Sequence, residues 1–165
     1  MRWYCASCGE EHDDLPFDWH WEQPVYWDGP RGEHDELGSD LCVWTDDDGL
    51  ECYFIRGLVQ LPVIGAEQSF NYGVWSSLSR ESFDRVLEVW EDPLRIDEPA
   101  YFGWLSNEIP DFPGSLSLPL DVVTRDVELR PVFELHERDH PLVHAQRDGV
   151  PWDWVVDVAV RNLHP

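Results

Sequence analysis

Leu41-Cys42-Val43-Trp44-Thr45-Asp46-Asp47-Asp48-Gly49-Leu50-Glu51-Cys52-Tyr53-Phe54-Ile55-Arg56-Gly57 is the stretch that decides the fold. Two runs rich in β-branched and aromatic residues, 41–45 and 50–57, flank an Asp-Asp-Asp-Gly cluster, the pattern of an antiparallel hairpin. Counted back across a two-, three- or four-residue loop, Cys42 falls opposite Ile55, Phe54 or Tyr53. It never meets Cys52, so the hairpin has no place for a Cys42–Cys52 disulfide.

The same reading extends outward. Residues 70–78 predict a further strand, after which Ser79 caps a helix with Phe83, Val86, Leu87 and Trp90 at helical spacing. Pro93 closes it. Residues 101–105 and 116–124 read as strands separated by a turn at 110–114, and 127–135 as one more, with Pro131 at an edge or bulge. Upstream, Phe17-Asp18-Trp19-His20-Trp21-Glu22 alternates, which sets Phe17, Trp19 and Trp21 on one face of a strand. Residues 28–40 are polar and Gly-rich, as in a surface loop. Near the C-terminus Asp139 is the expected cap of a short helix that stops at Gly149. Trp152, Val155, Val156, Ala159, Val160 and Leu163 form the apolar stripe of a second helix. The expected class is α+β: a mainly antiparallel sheet, an N-terminal zinc-knuckle-like turn, one central helix and two short C-terminal helices, in a single domain over 1–165.

With 165 residues, 42% of them apolar and 10 of them Trp, the chain has ample material for a core and is not a disordered sequence. Its 34 Asp and Glu face only 11 basic residues, every one Arg, for a formal charge of −23. That field repels phosphate and so argues against direct binding of nucleic acid or an anionic membrane, while it attracts basic partners. A solvated surface is the simplest account of it. The opening Met1-Arg2-Trp3-Tyr4-Cys5 has no secretory pattern, and the most apolar run, 58–66, is short and interrupted by Gln60 and Pro62. The expected location is therefore cytoplasmic, where four cysteines act as thiols or metal ligands.

Cys5-Ala6-Ser7-Cys8-Gly9-Glu10-Glu11-His12 carries the strongest local signal. Two residues between the cysteines let both thiolates face one ion, and backbone N–H groups inside the turn can point at the first sulfur. His12 can supply a third ligand from the strand that leaves the turn. A redox CxxC sits at a helix N-terminus after a buried strand, and that context is missing here. The reading is half of a structural zinc site. The remaining ligands must come from His12, His20, His34, Cys42, Cys52 or the distal histidines, and Cys42 is the choice, with Asp40 as its outer-sphere acceptor. Cys52 is read as a small buried hydrophobe.

His136-Glu137-Arg138-Asp139-His140 is a literal HExxH. That chemistry needs both histidines on one helical face, yet residues 132–135 read as strand and Pro141 biases His140 away from helix. His140 and His144 form a second, i, i+4 candidate pair. No nucleophile elbow, phosphate loop or dinucleotide fingerprint is present. Trp19, Trp21 and Trp27 are the tryptophans expected to be exposed.

Taken in order and spacing, these motifs resemble a bacterial family known as domain of unknown function 2199. The residues that carry the resemblance are the Cys5–His12 knuckle, Leu15-Pro16, Asp40-Leu41-Cys42, Phe54-Ile55-Arg56-Gly57 with Leu61-Pro62-Val63, and Trp75-Ser76-Ser77-Leu78-Ser79. Tyr101-Phe102-Gly103-Trp104-Leu105, Arg130-Pro131, Asp139-His140-Pro141-Leu142 and Gln146-Arg147-Asp148-Gly149 complete them. The resemblance implies that the knuckle and Cys42 recur in the family, and that HExxH does not. It implies no activity.

Three functions follow as expectations. The first is a non-enzymatic binding domain with structural zinc held by Cys5, Cys8, His12 and Cys42, its partner a basic protein in a toxin–antitoxin or immunity-type pairing. The second is a metal-dependent hydrolase centred on His136, Glu137, His140 and His144. The third is a small-molecule binder in which Arg56, Arg130 or Arg147 holds an anion inside an acidic shell.

Overall fold

A computed structural model describes residues 3–5, 7–12 and 17–163, the side chain of Leu163 excepted. Ala6 of the knuckle, the Leu15-Pro16 pair of the family resemblance and the Leu163 position of the last apolar stripe lie outside that description. The predicted hairpin is present as β5 (Leu41–Thr45) and β6 (Glu51–Pro62), with Cys42 opposite Phe54 and Trp44 opposite Cys52. The Asp46 N–H donates to the Leu50 carbonyl at 2.9 Å and the Gly49 N–H to the Asp46 carbonyl at 3.0 Å, so the loop is the three-residue one. All four cysteines are free.

β6 runs straight through the apolar segment to Pro62 and pairs along its whole other edge with β7 (Ser69–Leu78). Ser79 then caps α1 (Arg80–Glu88), its Oγ accepting from the Ser82 N–H at 3.1 Å. Phe83 and Val86 are buried, while Leu87, expected in the stripe, is exposed. Pro93 opens a short 3-10 helix, Pro93–Asp97, capped by Asp92. β8 (Tyr101–Trp104), β9 (Pro119–Val123) and β10 (Val132–Leu135) follow. α2 (Pro141–Asp148) and α3 (Trp152–Leu163) finish the chain. The α+β class holds, and the ladders are mostly antiparallel.

Two of the described strand pairings are parallel, in contrast to the antiparallel expectation. β3 (Asp18–His20) lies parallel to β7, and β10 runs parallel to β6 through the single pair Val132 and Leu58. The main sheet has the order β3-β7-β6-β10-β9-β8, with β5 on the free half of β6 and a short β4 (Glu36–Leu37) pairing the outer edge of β5. It also curls: beyond β8, Leu105 bridges Ser76 and the Ser106 N–H donates to the Trp75 carbonyl at 2.8 Å, so the far edge returns to β7. Gly103 makes that return possible, because a Cβ there would collide with Ser76 and the Ser77 carbonyl.

Where β10 diverges from β6, a side chain takes over the ladder. Gln146 of α2 donates from Nε2 to the Phe133 carbonyl and accepts the Leu135 N–H at Oε1, both at 2.8 Å. The cap of α2 is His140, not Asp139. Pro141 occupies the first helical position, and the His140 imidazole Nδ1 accepts the Leu142 N–H at 3.1 Å. No helix among the described residues is long and apolar enough to cross a membrane.

Asp35 ties the 28–40 segment to the end of β5. Its carboxylate accepts from the N–H groups of Arg31, Gly32 and Thr45 and from the Thr45 hydroxyl, at 2.7–3.0 Å. Partial burial opposes its ionisation, but these donors prevail and hold its pKa at about 2. The folded value lies below the unfolded one, so this contribution is present at neutral pH and fades as pH falls through the window between about 4 and 2. Asp35→Asn should therefore lower the unfolding free energy by about 1–2 kcal/mol at pH 6, with the gap from wild type closing below pH ~3 in urea titrations at stepped pH.

Candidate metal centre

Residues 3–5 and 7–12 build a minimal hairpin, β1 (Trp3–Tyr4) against β2 (Glu11–His12), which among the described residues has no ladder to the main sheet. Inside it the Gly9 N–H donates to the Cys5 carbonyl at 2.8 Å and the Cys5 N–H to the Glu10 carbonyl at 2.9 Å, which folds both cysteines to one side. The ligand atoms of Cys5, Cys8 and His12 lie within 4.8 Å of one another, an arrangement that could hold a metal ion. Cys8 Sγ is 3.2 Å from His12 Nε2.

The electrostatics fit ionised sulfur. Burial works against the Cys5 thiolate, but the N–H groups of Cys8 and Ser7 and the Cys8 thiol point at its sulfur and bring its pKa below that of an ordinary thiol. At Cys8 the Glu10 N–H favours the thiolate. Desolvation, the Cys5 sulfur and the Glu10 charge outweigh that donor, and the pKa is raised. Two adjacent sulfurs thus resist ionising together, which is the situation a dication relieves.

Trp3, which the sequence reading did not single out, anchors the site. It is buried in the main core, as is Cys5, and its ring stacks on His12 with centroids 5.0 Å apart. The available signal was its position two residues before Cys5, on the same face of a short strand.

Cys42 does not join the cluster. It lies in β5, buried in a separate apolar cluster with Phe54 and Trp75, and burial pushes its thiol up to about 12. The cause is strand parity: the face of β5 that carries Cys42 packs on that second cluster, while Cys5 belongs to the first. Cys52 is half-buried against the same second cluster.

The distal histidines are dispersed as well. His136 follows β10, with its Nε2 2.8 Å from Asp121 Oδ1, whereas His140 caps α2 with its Nε2 3.2 Å from the Pro113 carbonyl. His144 pairs with Asp139 and Glu137 with Arg147. The two histidines of the HExxH string share no helix, so the zincin geometry is not formed. Trp19 and Trp21 are partly buried against the core and Trp27 against the second cluster, while Trp104 stands half exposed.

The model of a family described as "Uncharacterized protein conserved in bacteria (DUF2199)" matches residues 4–150, and the chain belongs to that family. No curated protein and no solved structure matches it.

Cobalt(II) added to the reduced chain should produce a thiolate charge-transfer absorption that survives Cys42→Ala and disappears in Cys8→Ser. Loss of the band in Cys42→Ala would return Cys42 to the ligand set.

Proposed function

We propose that this family member is a non-enzymatic binding domain, active in a reducing cytoplasmic setting, in which zinc fastens the N-terminal hairpin to the core. The observation that carries this reading is the convergence of Cys5, Cys8 and His12 at the end of a hairpin with only two residue pairs. A hairpin of that length does not hold itself together in water. Two thiolates and an imidazole are a donor set suited to zinc. The role is structural because the ion would close a short segment whose Trp3 and Cys5 pack in the core.

Native mass spectrometry of untagged protein should find one zinc, absent from Cys5→Ser/Cys8→Ser. Chelation should accelerate amide exchange in β1 and β2 while β6 and β7 stay protected. Equal loss of protection throughout would assign the ion to the whole fold, and unchanged exchange in the hairpin would remove its structural role.

The partner we infer is a basic protein, and β8, β9 and β10 offer the face that suits it. The register aligns Phe102 with Asp121 and Asp121 with Glu134, and Phe102 and Trp104 stand exposed beside them, edge to face at 5.1 Å. Aromatic faces beside carboxylates accommodate Arg and Lys through cation–π and ionic contacts. A labelled arginine-rich peptide should shift the amide signals of β8–β10, and Phe102→Ala/Trp104→Ala should weaken its binding about tenfold. Shifts spread evenly over the acidic surface would reject this face as the docking site.

A further inference from the structure

β5 and β10 compete for one edge of β6. β5 occupies it from Glu51 to Ile55, running antiparallel, and β10 takes it at Leu58, running parallel. Between them the Arg56 N–H donates to the Asp40 carbonyl at 2.8 Å and the Leu58 N–H to the Pro131 carbonyl at 3.0 Å. The divergence opens a crevice of about 440 Å³ against the end of α1, within the size range of small-molecule sites.

Its walls are apolar, from Ile55, Leu58, Val86, Val89 and Trp90, but its charge runs against the rest of the molecule. Arg95, Arg125 and Arg130 line it, opposed by the carboxylates of Asp40 and Glu128. Arg56, almost wholly buried, stands behind this wall rather than on it: its guanidinium lies over the Trp75 ring, bound through Nη1 to the Ser39 carbonyl with its Nε unpartnered. In a chain of formal charge −23 this is a local reversal of sign.

The guanidiniums have different duties. Arg95 commits four of its five N–H groups to carbonyls. Its Nε donates to the Arg125 carbonyl and Nη1 to the Trp90 carbonyl, both at 2.9 Å, and Nη2 reaches the carbonyls of Asp126 and Leu129. One buried cation thus fixes the whole 125–129 turn, which forms the rim. Arg130 spends one nitrogen on Asp40 at 2.9 Å. Arg125 donates only its Nε, to the Arg130 carbonyl at 2.7 Å, and has no carboxylate partner among the described residues. On the same rim Val127 and Leu129 are exposed apolar side chains. A rigid rim with an unneutralised guanidinium over an apolar pocket is preorganised for a ligand with a charged head and a greasy body.

We propose that this crevice binds a small amphipathic anion, a carboxylate or phosphate monoester carried on an apolar chain or ring. Its head would dock on Arg125 and Arg130, and its body would lie against Ile55, Val86, Val89 and Trp90. The site is separate from the knuckle and does not depend on zinc.

The test uses the full chain with anilinonaphthalene sulfonate as reporter and octanoate, octyl phosphate and octanol as competitors. Saturable 1:1 displacement by octanoate, octyl phosphate or both, with octanol at least tenfold weaker, supports the proposal, and the better of the two anions identifies the head group. Arg125→Gln should weaken the anions at least tenfold and leave octanol unchanged. Val127→Trp, which obstructs the crevice without altering its charge, should abolish displacement and serves if Arg125→Gln does not fold. The proposal is overturned if neither anion displaces the reporter, if octanol competes as well as octanoate, or if a folded Arg125→Gln binds the anions as wild type does.

Discussion

One edge of one strand organises most of the molecule. β6 is longer than any partner on that edge, so β5 covers its first half and β10 begins on its second, in opposite directions. A strand that changes partners must tolerate close approach at the change. Gly57 sits there: a Cβ would run into the Phe133 ring and the Pro131 carbonyl. Everything downstream is placed relative to this point. β10 leaves β6 after one pair, Gln146 completes its exposed ladder, and the sheet swings through β9 and β8 back to β7, where Gly103 allows the second close approach. Two positions without side chains thus let an open sheet bend into a nearly closed one.

The hairpin of the knuckle stands apart from this scheme. It shares the core through Trp3 and Cys5 but, among the described residues, has no ladder to the sheet. Such an appendage is stable only to the extent that its few contacts outweigh the entropy of ordering it. Cys5, Cys8 and His12 converge there in a cluster that could hold a metal ion, and the Trp3 ring stacks on the His12 imidazole. The free, buried Cys42 meets a different requirement, that of a small side chain beneath Trp75 and Phe54.

What could be read from the sequence was local. The β5–β6 turn, the Ser79 cap, the Gly149 stop and the CxxC geometry each depend on residues within a few positions of one another, and each stands in the structure. The α2 cap was equally local and still misread: Asp139 has the better side chain, but Pro141 at the first helical position makes residue 140 the cap. Non-local features left no such trace. Alternation showed that Phe17, Trp19 and Trp21 share a face, not that their strand runs parallel to β7. Nothing near Arg95 announces that it will bind four carbonyls across the fold, and the parity that separates Cys42 from the knuckle is set by packing rather than by sequence spacing.

Charge is where local and global arguments meet. Arg is scarce in this chain, and most of its exposed copies are absorbed by neighbouring acids, as Arg31 is by Asp28 and Asp47, and Arg147 by Glu137 and Asp148. Such surface pairs contribute little and are screened by salt. Arg95 and Arg56 are treated differently: they are buried, bound to carbonyls, and stacked near Trp90 and Trp75. Around Arg95 four carbonyl bonds satisfy N–H groups without cancelling the charge, so its positive potential persists in a poorly screened setting. With acids so abundant, leaving Arg95 and Arg125 without an ion pair among the described residues cannot be put down to a shortage of partners. Arg95 and Arg125 line the crevice at the β5–β10 divergence, where an anion meets guanidinium charge in a chain that is strongly acidic as a whole.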